Sequence, residues 1–279
     1  MGLAYVISAY TNLDQVARLV RVLGGREAIA VHVDRKTNDR EFERLRHDVS
    51  DLREVALLER HACHYRGFGH VRATLKGIDD VLARSSDFSH LVLLTGQDYP
   101  IKPVAEIQSF LAERRDSSFM GINALPSPLW SPHGGLDRID YRHVHWRGRH
   151  VRLPGRRAFP RGLRPFGGGA YWCLSRACVE LVAEFVVERR DVVRFFQHVD
   201  VPDEIFFQTI VMNSELASTV VNDNLRYVDW SRGRRPAVLD TNDLDALRAS
   251  PKLFARKFDT RVDAAVLDAI DAQLIGIQG

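Results

Sequence analysis

Short apolar runs alternate with amphipathic stretches through the first hundred residues. Residues 4–9 form an unbroken buried run, the pattern of a strand covered on both faces. Leu13, Val16, Ala17, Val20 and Leu23 then recur at helical spacing, and Gly24-Gly25 ends the helix. A second apolar run over 28–34 ends in the carboxylate of Asp34, and a charged helix follows from Asp39 to Asp48. Residues 55–58 predict a third strand, 71–82 a helix and 90–95 a fourth strand. This alternation predicts an α/β fold with a mostly parallel central sheet and helices on both faces. In such sheets ligands bind beyond the carboxyl ends of the strands, which draws attention to Ser8, Asp34 and Asp98.

The pattern loosens after about residue 125. Pro126, Pro128, Pro132, Gly134 and Gly135 open a long stretch that predicts an irregular loop region over 126–168. Regular structure is expected again over 169–174, as a strand, and over 176–189, as a helix. No internal repeat is visible.

At 279 residues with 45% hydrophobic and 27% charged positions, the chain can bury a large core, which excludes intrinsic disorder. No run approaches the roughly 18 apolar residues of a membrane span, and no secretory leader is visible, so the expected place is the cytosol. Cys63, Cys173 and Cys178 form no C-x-x-C pair and read as ordinary thiols. The net charge of +3 is uneven: the segment from Arg142 to Arg164 holds eight arginines and no acid, and the remainder is acidic. Such a segment suits an anionic partner.

Several motifs are incomplete or have a plainer structural reason. Gly67-Phe68-Gly69 opens a helix but lacks the third glycine of a dinucleotide fingerprint. Neither a phosphate-binding G-x-x-x-x-G-K-[ST] nor a G-x-S-x-G elbow is present. His143, His145 and His150 cluster, yet the surrounding arginines disfavour a cation there. Trp146 and Tyr141 in the same segment suit a nucleic-acid or polyanion surface, which stands as the alternative reading. Asp203 and Glu204 precede an apolar helical run, where helix-dipole stabilisation alone accounts for Asp203. Arg256-Lys257 sits within an apolar stretch, a partly dry place suited to a diphosphate.

Six segments in order carry a resemblance: Ala4-Tyr5-Val6-Ile7, His32-Val33-Asp34-Arg35-Lys36, residues 94–102 from Leu94-Thr95-Gly96-Gln97-Asp98 onward, Gly169-Ala170-Tyr171-Trp172, Pro202-Asp203-Glu204, and 253–259. Together they resemble glycosyltransferase family 14, the core-2/I-branching β1,6-N-acetylglucosaminyltransferases and related peptide O-xylosyltransferases, in a bacterial-type member. Residues 125–165 do not match.

The resemblance implies a GT-A-like fold and a single glycosyltransferase domain over 1–279. A nucleotide-sugar-binding half would span 1–125, the basic loop region 126–168, and an acceptor and catalytic half 169–279. It implies inverting, metal-independent transfer from a UDP-sugar, UDP-N-acetylglucosamine first and UDP-xylose second. No cofactor and no metal ligands are expected. Glu204 matches the catalytic base. Lys257 matches a diphosphate-binding lysine, with Arg256 beside it and Arg234 or Arg235 as a second cation. Asp34 and Tyr65 match uridine contacts, and Ser8 and Asp98 complete the donor-binding set. Trp230 matches an acceptor-side aromatic, with Asp137 and Arg138 as further acceptor candidates. The expected acceptor is a glycan or specialised metabolite, an acidic carrier protein being one way to present it; neither nucleic acid nor a membrane span is expected.

Where most GT-A enzymes carry Asp-x-Asp, Gly96-Gln97-Asp98 offers a single carboxylate. Asp243-Leu244-Asp245 follows Thr241-Asn242 and reads as a capped helix start.

Overall fold

A computed structural model of the chain describes residues 2–25, 27–233 and 235–276. The apolar runs form strands β1 (Gly2–Ala9), β2 (Ala28–Val33), β3 (Val55–Leu57) and β4 (Phe88–Thr95). Shorter strands follow: β5 (Asp98–Pro100), β6 (Ser118–Met120), β7 (Asn123–Ala124), β8 (His143–Trp146), β9 (Arg149–Arg152), β10 (Phe166–Gly167), β11 (Trp172–Ser175), β12 (Val220–Val221), β13 (Arg226–Val228) and β14 (Phe254–Arg256). The main sheet has seven strands in the order β12-β6-β11-β4-β1-β2-β3. β4, β1, β2 and β3 run parallel. β11 is inserted between β4 and β6, antiparallel to both.

The sheet is buried on both faces, which is why its central strands lack polar alternation. Along β1, Leu3, Tyr5 and Ile7 join one core and Ala4 and Val6 the other. The first core is covered by the Leu13–Leu23 helix through Val16, Leu19, Val20 and Leu23. The second is covered by Gly69–Arg84 and Arg176–Glu188, through Val71, Ile78, Val81, Val179 and Val182. Burying each such aliphatic side chain contributes about 1.5–3 kcal/mol.

The Asp39–Asp48 helix forms over the predicted residues, with the Asn38 side chain accepting from the Arg40 N–H at its start. Asp240 and Asp243 form a reciprocal capping box, so Asp243 belongs to a helix start as its sequence implied. A second, three-stranded sheet, β13-β14-β5, carries the Arg256 end of β14 against Asp98 of β5.

The basic region is more regular than its composition suggests. β8 and β9 pair as a hairpin, with His143 opposite Arg152 and Trp146 opposite Arg149. Arg147 and Gly148 between them both adopt positive φ, 49° and 77°, the backbone of a tight hairpin turn. A short helix, Asp137–Asp140, precedes the hairpin. Of the eight arginines, Arg157 is structural: it donates to the carbonyls of Ile139, Phe195 and His198 at 3.0 Å each and lies over the Phe195 ring. Arg156 pairs with Asp140. The other six make no ion pair among the described residues.

Candidate active site

The carboxyl ends of β1 and β2 open onto a cleft of about 360 Å³ lined by Ser8, Tyr10, Asp34, Lys36, Tyr65 and His70. Three of the sequence-predicted donor residues, Ser8, Asp34 and Tyr65, thus share one wall. Asp34 is buried at the end of the strand; its carboxylate accepts from the Lys36 N–H at 2.9 Å and the Cys63 N–H at 3.3 Å. The Lys36 ammonium adds an ion pair at 3.4 Å and donates to the Cys63 carbonyl at 2.7 Å. This lacing fixes the carboxylate and ties β2 to the loop before the Gly69–Arg84 helix. Tyr65 is 81% exposed on that loop, its ring free to cover a bound planar group. Gly69 is required here, because a Cβ would stand 2.9 Å from the Cys63 Cα.

Asp98 is placed differently from its expected role as a donor contact. It is wholly buried, and its carboxylate accepts from the backbone N–H of Thr95 at 2.7 Å and from the Thr95 hydroxyl. Its other oxygen lies 3.7 Å from the Nε of both Arg226 and Arg256. Asp98 therefore stands behind the site as a counter-charge. Arg256 in turn lies over the Tyr171 ring at 4.2 Å. Burial pulls its pKa down, but Tyr171 and Asp98 more than offset that, so the guanidinium stays charged.

Lys257 is half-buried and its ammonium has no hydrogen bond or ion pair among the described residues. Its backbone is held on both sides, donating to Ala237 at 3.4 Å and accepting from Leu239 at 2.9 Å. Arg235 and Trp230 project from the loop after β13, Arg235 exposed and Trp230 59% exposed. Arg232, on the same loop, is committed to Asp229, Asp240 and Asp243. Arg234 lies outside the described residues.

Glu204 ends the turn Pro202–Glu204. Arg138 donates to its carboxylate at 2.7 Å and stacks over Trp130 at 4.3 Å. Arg138, expected on the acceptor side, thus holds Glu204 directly. Burial raises the Glu204 pKa, with Arg138 opposing. The Glu204 carbonyl accepts from Gly168 at 2.8 Å, where a Cβ would fall 1.7 Å from the Gly121 carbonyl oxygen. Asp137 lies one residue before Arg138; its carbonyl accepts from His143 at 3.2 Å, while one carboxylate oxygen is buried without a partner.

The turn is anchored by Asp200, which is 1% exposed and forked by Arg66, with Nε–Oδ1 at 2.6 Å. Main-chain bonds reinforce this: Val201 donates to the Arg66 carbonyl and Asp200 to that of Arg138. The loop carrying Tyr65 and the turn carrying Glu204 are thereby one assembly. His143, His150 and Asp200 bring three ligand atoms within 4.8 Å, but the Arg66 fork already occupies Asp200.

Sequence reading assigned no role to Tyr171, His70 or Arg226. Tyr171 was visible in the Gly169-to-Trp172 motif, and His70 in the Gly67-Phe68-Gly69 turn. Nothing in the sequence pointed to Arg226.

The pattern of the Core-2/I-Branching enzyme family matches residues 3–250. The chain belongs to that family. A xylosyltransferase of Ciona intestinalis is 26% identical over 286 residues, covering 95% of this chain and 33% of the relative. Human xylosyltransferase 2 is 26% identical over 300 residues, covering 98% and 34%. Mouse xylosyltransferase 1 is 25% identical over 280 residues, covering 88% and 27%. The chain thus spans about a third of the length of these relatives. Its fold, a large mostly parallel sheet between helices, is the GT-A-like arrangement of the family. Among the described residues no helix is long and apolar enough to cross a membrane.

Proposed function

We propose that the chain is an inverting, metal-independent glycosyltransferase that moves a sugar from a UDP-sugar to a hydroxyl or amine of a glycan or small-molecule acceptor. The observation that carries this reading is the pairing of a half-buried carboxylate on an arginine, Glu204 on Arg138, with an unpaired ammonium, Lys257, beside a charged Arg256. Glu204 takes the acceptor's proton as its oxygen or nitrogen attacks C1. The C1–O bond to the diphosphate breaks with its electron pair on the leaving oxygen. Lys257 and Arg256 stabilise that growing charge, the task a divalent ion performs elsewhere. Asp34 and Tyr65 hold the uridine, and Arg235 and Trp230 flank the acceptor approach.

Metal independence is supported by the donor set. The one acid after β4 is enclosed by Thr95 and two arginines, and Asp243 is bound in its capping box and by Arg232. UDP-xylose is the favoured donor because the relatives above are named xylosyltransferases; UDP-N-acetylglucosamine is second. The six unpaired arginines suit an acidic carrier of the acceptor.

Water can serve as the acceptor in a first test. The protein is incubated with UDP-xylose in EDTA, and the released sugar is followed by proton NMR. UDP release with β-xylose as the first anomer is the expected result; α-xylose first, or release only with added Mn²⁺, contradicts the reading.

A further inference from the structure

Beyond the outer cleft lies a smaller chamber of about 60 Å³, reached past Ser8 and His70, which line both. Its remaining wall includes Thr95, Tyr171, Asp203 and Phe207. Thr95 and Tyr171 are committed to Asp98 and Arg256. Asp203, His70 and Ser8 are not: their side chains make no hydrogen bond or ion pair with another described residue. Glu204, the next residue, is held by Arg138, whereas Asp203 has only its own backbone N–H.

Asp203 is half-buried, and lost solvation pushes its carboxyl up to about 6, with its own backbone N–H and Arg138 opposing. Asp203 lies in a first helical turn as its sequence implied, and its side chain also lines the chamber beside the cleft. At about 30 Å³ for each water-sized group, the chamber of about 60 Å³ admits about two such groups. That is the size of a pair of adjacent hydroxyls on a sugar ring. Its wall includes Asp203, the residue before Glu204, and Tyr171, on whose ring Arg256 stacks.

We propose that Asp203, with His70 and Ser8, holds the hydroxylated edge of the donor sugar and so sets donor specificity. This rests on the UDP-sugar reading above. The carboxylate accepts from adjacent sugar hydroxyls, His70 offers a ring nitrogen to a third polar group, and the Ser8 hydroxyl closes the set. Ser8 and His70 also line the outer cleft, whereas Asp203 lines the inner chamber alone.

The test is calorimetric titration of the wild type and Asp203→Asn with UDP, UDP-xylose, UDP-glucose and UDP-N-acetylglucosamine. The wild type is expected to bind a UDP-sugar more tightly than UDP. Asp203→Asn should lose that increment, its affinity for the sugar nucleotide falling about 10- to 100-fold, while UDP binding stays within about twofold. Ser8→Ala should show a smaller loss in the same direction. Unchanged UDP-sugar affinity in Asp203→Asn overturns the proposal, as does an equal fall for UDP and UDP-sugar, which marks a merely structural carboxylate. Wild-type binding of UDP and every UDP-sugar with equal affinity also overturns it while leaving the nucleotide site intact. No binding of UDP by the wild type overturns the reading of the site as well.

Discussion

The two sides of the site are built by different means. The proposed donor wall rests on strand ends: Ser8 and Asp34 lie at the carboxyl ends of adjacent parallel strands, placed by the register that pairs Ser8 with His32. The side carrying Glu204, the proposed base, rests on loops joined by side chains, where Arg66 grips Asp200, Arg138 grips Glu204 and Arg157 ties three carbonyls. Changes on the donor wall should therefore cost binding. Changes on the base side should cost turnover, or the integrity of the turn, with binding retained.

The sharpest way to separate the sides is Glu204→Gln. Turnover should fall about 10²- to 10⁴-fold, the usual contribution of a general base, with calorimetric UDP affinity unchanged. Lost UDP binding would break the division.

Next in size is Arg66→Ala, which leaves the buried Asp200 carboxylate without its fork. Denaturant unfolding should show a loss of about 3 kcal/mol near neutral pH. The sign with pH follows from the lowered Asp200 pKa: burial raises it, but Arg66 wins. Its contribution is thus present above the ordinary carboxylate range and is lost as pH falls toward the lowered value. The gap between wild type and variant should narrow in acid; a pH-independent gap would assign the effect to packing.

On the donor side, Lys257→Ala should weaken UDP binding about tenfold or more, the worth of a charge-assisted contact, with the protein's melting temperature little changed. A variant that binds UDP normally but turns over slowly would move Lys257 to the other side of the comparison.

The smallest effect expected is from Arg138→Ala. Arg138 opposes the upward push of burial on Glu204, so removing it raises the base's pKa further. The acid limb of the kcat/KM profile should move to higher pH, with the rate down about tenfold near neutral pH and largely recovered in alkali. A loss equal at every pH would mean that Arg138 only shapes the turn.

The same contrast explains what could be read from the chain. The strand ends were legible because buried parallel strands leave continuous apolar runs, so residues 28–34 announced both β2 and the carboxylate at its end. Strand direction was not legible: β11 is as apolar as its neighbours, and its insertion antiparallel between β4 and β6 depends on the long excursion before it. Side-chain direction was equally hidden. Asp98 follows a strand as Asp34 does, yet the turn folds its carboxylate back onto the Thr95 N–H. In the basic region, proline and glycine predicted irregularity, whereas the Arg147-Gly148 turn between Val144-His145-Trp146 and His150-Val151 makes a hairpin. Glu204 was picked out by its motif, but its hold by Arg138 joins positions 66 residues apart, a contact local pattern does not reveal.

The central claim is that fixed side-chain cations replace a metal on the donor diphosphate. Calorimetric titration of the wild type with UDP-xylose, first in EDTA and then in Mn²⁺, tests it most directly. Micromolar binding in EDTA, unchanged by Mn²⁺, is the predicted result. Binding that appears only with Mn²⁺ would contradict it.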